Sequence, residues 1–489
     1  MATILFGMLP HYGHHNATFK LARDLVTRGH RVVYISIDET MRAQVERQGF
    51  AYQHIPLLSE ECLKASGLLA GIGRIRALRD ALADGERLRA LIGPLGGDLL
   101  LVDVGMAAFA VALAPLGMPI MLCNSFMAHD KVPNVPPLTS GLMPGHDLIG
   151  RLKVEAAWLR ERLRGALYLP LLGPLGLTER QIVRHIAART GALWGMRPHG
   201  MRTFGLGLGL PEIVLCPAAL DFPRPPAPHL HFSGPGVLED RKEPAFDFGP
   251  GGSGRPLVYC SRGTLVSGFA GHRATLQAVL DAVAGLPDVD LLMAVGEHID
   301  PQSFGPQPPR IRLVRHVPQI AALRRAAVFI THGGMNSIKE SILCGVPMLV
   351  LSSPSADLPG NAARVVWHGL GLRIASRRIT AEGVRAGLIR LLGDGGFRDR
   401  MAVMRDLFRT EEERMPAVRI VEDILSKGSS HSTNGRAPGL PRITPSVSVF
   451  CEDVVWASGS RFCRSAGNSR GLRRFGRSID HHASRLSHA

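Results

Sequence analysis

Three histidines fall together in Pro10-His11-Tyr12-Gly13-His14-His15, between an apolar run, Ala2 to Met8, and a helical stretch, His15 to Arg28. Imidazole is the side chain whose ordinary pKa lies nearest neutrality, so a ring held there suits removal of a proton from a hydroxyl. A single loop histidine is more often only solvated, and His11, His14 and His15 are register alternatives for the role. Asp103 ends a second apolar run, Leu99-Leu100-Leu101-Val102. Its carboxylate could orient such a ring and stabilise the imidazolium, as in a hydrolase triad, or equally cap a helix.

A second constellation is Thr331-His332-Gly333-Gly334-Met335-Asn336-Ser337-Ile338-Lys339-Glu340, which follows an apolar strand and opens a helix. Glycines at such a turn let a ligand approach the backbone. The unpaired N–H groups of the first helical turn, with the helix dipole, favour phosphate. Asn336, Ser337 and His332 can add side-chain hydrogen bonds, and Glu340 can accept from both hydroxyls of a ribose.

Positioning these groups requires strands that end where the loops begin. Arg31 to Ile37, Ala51 to Ile55, Leu99 to Val102 and Ile120 to Cys123 read as short buried strands alternating with helices. The theme restarts with strands at Leu257 to Cys260, Asp290 to Val295, Arg312 to Val314, Val328 to Thr331 and Met348 to Leu351. An α/β fold of two doubly wound, Rossmann-like halves follows. Pro-rich Phe222 to Pro228 reads as a linker, giving expected domains 1–220 and 221–426. Beyond Ser426 periodicity gives way to Ser, Arg, Gly and His, and 427–489 is expected to be a disordered basic tail. The segment from Met143 to Ala188 is helical and basic, with Arg151, Lys153, Arg160, Arg162 and Arg164 beside Leu152, Trp158, Leu159, Leu163 and Leu167. It is either a solvated cover over the core or an acceptor-side lid touching a membrane.

Composition narrows the function. The 489 residues suit two domains, and 45% hydrophobic with 20% charged residues is ordinary for a globular protein. Seven scattered cysteines without CxxC pairs argue against a disulfide framework or structural zinc and fit a reducing cytoplasm. No basic leader precedes the first apolar run, and Leu99 to Cys123 is too interrupted by Asp, Gly and Pro to span a membrane. Of the +16 net charge, the tail from Lys427 supplies +7, so the basic balance is partly local and carries no specific nucleic-acid reader. A dinucleotide oxidoreductase fails for want of GxGxxG after the first strand.

The run Val317-Pro318-Gln319, Thr331 to Glu340, Gly345-Val346-Pro347 and Asp357-Leu358-Pro359-Gly360-Asn361 resembles the donor signature of the inverting, UDP-sugar-dependent glycosyltransferases, family 1. Leu220-Asp221-Phe222-Pro223-Arg224 adds a patchier likeness to the carotenoid-glucosylating branch. The resemblance covers most of residues 1–425. It implies a GT-B fold, two Rossmann-like domains facing each other across a cleft, and transfer of a hexose from a UDP-sugar, UDP-glucose first, to a lipophilic alcohol of carotenoid or terpenoid type. A macrolide or phenolic acceptor and a dTDP-sugar donor are the alternatives within that reading.

The resemblance further implies His14 as general base paired with Asp103. His332, Gly334, Asn336 and Ser337 would hold the diphosphate, with Ser261 and Thr264 near the phosphates. Glu340 would bind the ribose, Gln319 and His316 would lie at the uracil, and Asp357 would take the sugar hydroxyls. No cofactor or metal is expected, and no DxD-type pair lies near the donor motif. The expected location is cytoplasmic, with peripheral contact at the inner membrane face. Three departures stand out: His316 replaces a stacking Trp, Leu358 a Gln, and Arg262 an apolar residue. Arg262 is either an added phosphate contact or a snorkelling surface side chain. His316 and Leu358 motivate the competing reading, a nucleotide-sugar-binding protein without transfer.

Overall fold

The computed structural model describes residues 1–59, 61–62, 67–173, 175–191, 201–249, 254–263 and 271–431. Thr264 and the tail from 432 onward lie outside the described residues.

The first sheet contains β1 (Thr3–Gly7), β2 (Arg31–Ser36), β3 (Ala51–His54), β4 (Leu99–Asp103), β5 (Ile120–Asn124), β6 (Glu212–Val214) and β7 (Leu230–Phe232), in spatial order β3-β2-β1-β4-β5-β6-β7. Around it lie α1 (Tyr12–Thr27), α2 (Arg42–Arg47), α3 (Leu68–Leu82), α4 (Gly85–Ile92), α5 (Ala107–Leu113), α6 (Leu148–Leu172) and α7 (Glu179–Thr190). The second sheet orders β8 (Leu257–Ser261), β9 (Asp290–Ala294), β10 (Ile311–Val314), β11 (Ala326–Thr331), β12 (Met348–Ser352) and β13 (Gly371–Ala375) as β10-β9-β8-β11-β12-β13. Its helices are α8 (His272–Ala284), α9 (Gln319–Leu323), α10 (Met335–Leu343), α11 (Leu358–Trp367), α12 (Ala381–Gly393) and α13 (Gly396–Glu413), and α14 (Pro416–His431) follows.

Every pairing in both sheets is parallel. Strands covered on both faces must be apolar throughout, and β4 and β5 are buried at every position. In each sheet the first strand lies beside the fourth, β1 with β4 and β8 with β11, so the winding reverses there. Loops leaving the carboxyl ends of such strands diverge and open a crevice for a ligand. The histidine cluster and Asp103 leave β1 and β4, and Ser261 and His332 leave β8 and β11.

Two expectations are corrected. The boundary at 220/221 cuts through the first sheet, because β7 pairs with β6 after the Pro-rich stretch. The chain also remains helical past Ser426, to His431. That last helix returns to the first sheet: Val418 and Val421 join the cluster of Ile4, Phe6, Leu25, Met121 and Leu215. Glu422 pairs with Arg28 at 3.1 Å.

The seam between the sheets is itself packed. Met127, Leu138, Val214, Cys216 and Leu220 share one apolar cluster with Tyr259, Met335, Ile338 and Val350. Buried Lys339 of α10 donates to the Leu215 carbonyl at 2.7 Å, which satisfies one of its protons while burial lowers its pKa. Among the described residues no helix is long and apolar enough to cross a membrane, and the five described cysteines are free.

Candidate active site

Helix α1 starts at Tyr12, and this register separates the three histidines. His15 joins the buried stripe with Thr18, Phe19 and Ala22, stacks on Tyr34 and meets the His11 carbonyl at 3.2 Å. Burial pushes its pKa down to about 4. His11 is also lowered to about 4, first by burial and then by its neighbour His14. His14 turns to the carboxyl end of β4, where its Nδ1 meets Asp103 Oδ2 at 2.6 Å. The carboxylate is fully buried, whereas 12% of the His14 side chain reaches solvent.

Asp103 serves two partners at once. Its Oδ1 accepts from the Gly105 N–H at 2.9 Å and caps the short turn that follows β4. Helix capping and histidine pairing are therefore joint functions of one side chain, one oxygen each. Ser125 Oγ, just past β5, lies 3.0 Å from His14 Nδ1. Phe126 stands edge-on to the His14 ring at 5.4 Å and packs on Phe204 at 5.2 Å, giving an apolar wall beside the imidazole.

Across the seam, Asn336 in the first turn of α10 donates from Nδ2 to the Gly13 carbonyl at 2.6 Å. The start of α10 is thereby pinned against the histidine loop. Gly334 caps α10, and His332 precedes it with its ring between two glycines: a Cβ at Gly263 would come within 2.5 Å of that ring, and one at Gly334 within 2.7 Å. Burial first, then Arg262 and His272, hold the His332 pKa down to about 3, so this ring acts as a neutral N–H donor. Its Nδ1 is buried without a hydrogen-bond partner among the described residues.

Arg262 is 5% exposed, which excludes the snorkelling reading. Its Nη1 lies 3.2 Å from His272 Nδ1, and its buried Nε has no acceptor among the described residues. With no carboxylate partner among the described residues, this buried guanidinium creates a positive field where an anion would be stabilised. Ser261 ends β8 in register with Thr331 of β11 and Ala294 of β9, on the same rim.

Gln319, at the start of α9, donates to Ser337 Oγ at 3.1 Å and to Glu340 Oε2 at 2.7 Å. These expected base, phosphate and ribose contacts thus form one network. Arg241, which the sequence reading missed, donates to Glu340 Oε1 and pairs with Glu243 at 2.9 Å. The Glu340 carboxylate is already engaged, so a ribose must share it or displace Arg241. Arg241 sits in a charged inter-sheet run with no motif to mark it. Ser125 had a signal: like Asp103, it follows the carboxyl end of a central strand.

Asp357 precedes α11 at its N-cap position and is 7% exposed; burial raises its pKa against the opposing effect of Asn361, whose Nδ2 donates to it at 2.6 Å. The same amide donates to the Gly333 carbonyl at 3.0 Å, tying the Asp357 carboxylate to the glycine turn. His14 lies within electrostatic reach of Asp357. Leu358 is buried and offers no hydrogen bond in place of Gln. His316 is exposed after β10 and makes no hydrogen bond to this network among the described residues. The Asp221 motif is structural: Arg364 of α11 pairs with Asp221 at 2.5 Å and lies over Phe222 at 4.3 Å, locking α11 to the first half of the chain.

The chain also matches known proteins in sequence and in fold. Residues 211–411 match the family described as UDP-glucoronosyl and UDP-glucosyl transferase. The chain is 25% identical to 4'-demethylrebeccamycin synthase of Lentzea aerocolonigenes, over 87% of this chain and 100% of that protein. It is 28% identical to zeaxanthin glucosyltransferase of Pantoea ananas, over 86% and 95%. Among solved structures it resembles the glycosyltransferase SnogD of Streptomyces nogalater, with a TM-score of 0.59 and 20% identity over 87% of this chain and 99% of that one. The fold is GT-B.

Proposed function

We propose that this glycosyltransferase, whose residues 211–411 match the UDP-glucoronosyl and UDP-glucosyl transferase family, moves a hexose from a UDP-sugar to a hydroxyl of a lipophilic acceptor with inversion. The observation that carries the reading is the His14–Asp103 pair, assembled at the seam beside the start of α10. With Nδ1 held by Asp103, Nε2 is the nitrogen that takes the acceptor proton. The acceptor oxygen then attacks the anomeric carbon on the face opposite UDP, which departs with the bond electrons. Backbone N–H groups at the start of α10, neutral His332 and the Arg262 charge face the diphosphate and stabilise the negative charge it gains. Asp357 takes the sugar hydroxyls. Phe126 and Phe204 supply an apolar wall for a carotenoid-like or other lipophilic alcohol, and similarity to a zeaxanthin glucosyltransferase supports that class.

Calorimetric titration with UDP, dTDP and NAD is the first test. Binding of UDP in the micromolar range without NAD binding supports the donor; tighter binding of dTDP moves the reading to a dTDP-sugar, and silence toward both removes it. The variant His14→Ala should then lower transfer at least ~10³-fold with UDP affinity within about threefold of the parent. Retained turnover takes His14 out of the mechanism.

A further inference from the structure

We propose that α6 lays its outer face on an anionic lipid surface. Leu148, Leu152, Leu159 and Leu163 recur at intervals of four, seven and four residues, which places them on one side of the helix, with Ile149 beside them. All five are between 52 and 73% exposed, and they make up five of the thirteen large hydrophobic side chains that stand exposed among the described residues. Such a contiguous apolar stripe marks an interaction face. The opposite side of the same helix holds Val154 and Trp158, each 1% exposed, and the Trp158 indole donates to the Val135 carbonyl at 2.8 Å. The stripe is therefore the side turned away from the body, not a core face left uncovered.

Charge decides the occupant. Arg151, Lys153, Arg160 and Arg162 are exposed along the helix around the stripe. The helix's acidic side chains are engaged with the body: Glu155 pairs with Lys131 at 2.6 Å, and Glu161 accepts from Thr139 Oγ1 at 2.6 Å. A second copy of the chain docked on this face would bring cations against cations. A lipid surface brings phosphates to the cations and acyl chains to the leucines, the arrangement of an interfacial helix whose long basic side chains reach up to the headgroups. The position suits an acceptor that partitions into membranes. Helix α6 rests on residues 131–139, the segment that leads from Phe126 beside His14 to Leu138, whose carbonyl accepts from Gly360 of α11 at 2.8 Å.

The test uses the full chain, lipid vesicles and no acceptor, so it reads binding independently of turnover. The protein should sediment with vesicles containing about one quarter phosphatidylglycerol and stay in solution with pure phosphatidylcholine. Leu152→Glu with Leu159→Glu should reduce the bound fraction at least ~10-fold, and Arg160→Ser with Arg162→Ser should cost about fivefold per cation removed. Melting temperature and turnover of a water-soluble acceptor should stay at parental values, which shows that the variants fold. Equal binding to neutral vesicles, no binding to anionic ones, or binding indifferent to both pairs of substitutions overturns the proposal. So does a dimer of the parent chain that the glutamates dissolve, which would make the stripe a contact between copies.

Discussion

Replacing Asp103 by Asn separates the two uses of its side chain. The amide oxygen can still accept from Gly105 N–H, so the turn after β4 survives, but a neutral amide cannot stabilise an imidazolium. Asp103→Asn should therefore lower kcat by about 10³–10⁴ while the melting temperature moves by no more than ~3 °C. A kcat within threefold of the parent would leave Asp103 as a cap alone. Both partners were legible in the sequence because each follows an apolar strand-like run, where α/β sheets expose ligand-facing loops. The choice of His14 over His11 and His15 came from the family resemblance and not from the spacing. It depends on the residue at which α1 begins, and a shift of one position turns a side chain from the core to the crevice. The engagement of Glu340 by Arg241 was equally hidden, since it joins residues 99 apart through a segment without periodicity.

The turn after β8 is an element whose shape depends on one glycine. Gly263 has φ +74, and a Cβ there meets the His332 ring at 2.5 Å. Alanine would pay in backbone strain, on the order of 1 kcal/mol, and would push His332 from its place at the start of α10. Gly263→Ala should weaken UDP binding at least ~10-fold and lower the melting point by a few degrees; calorimetry that shows unchanged affinity would detach this turn from the diphosphate. The strands read from the sequence match their observed ends to within two residues, but the edge strand β13 was not among them. Nor were the three-residue strands β6 and β7, because so short a run carries no alternation to distinguish it from loop. Proline before β7 disguised it further as linker, which is why the expected domain boundary fell inside the sheet.

Across the whole molecule the chain passes between the sheet domains twice, once after β7 and again into α14. A chain ending at 415 loses Val418 and Val421 from the first core, with half-buried Ile420, Ile424 and Leu425. At roughly 1.5–3 kcal/mol per fully buried aliphatic side chain, the loss is on the order of 6 kcal/mol, comparable with the total stability of many domains. That truncation should melt far below the parent or fail to stay in solution, whereas a chain ending at 431 should melt within about 2 °C of it. Equal melting of the two would mean that α14 is dispensable to the first domain. The return of α14 also sets an order of events on the ribosome. The seven strands of the first sheet are complete at Phe232, yet their covering helix is translated roughly 180 residues later, a wait of about 10–40 s at ordinary elongation rates. Throughout that interval a nascent apolar groove is open beside Arg28 and His30, so the half of the protein made first is the half finished last, and it is the natural client of a chaperone that holds emerging chains.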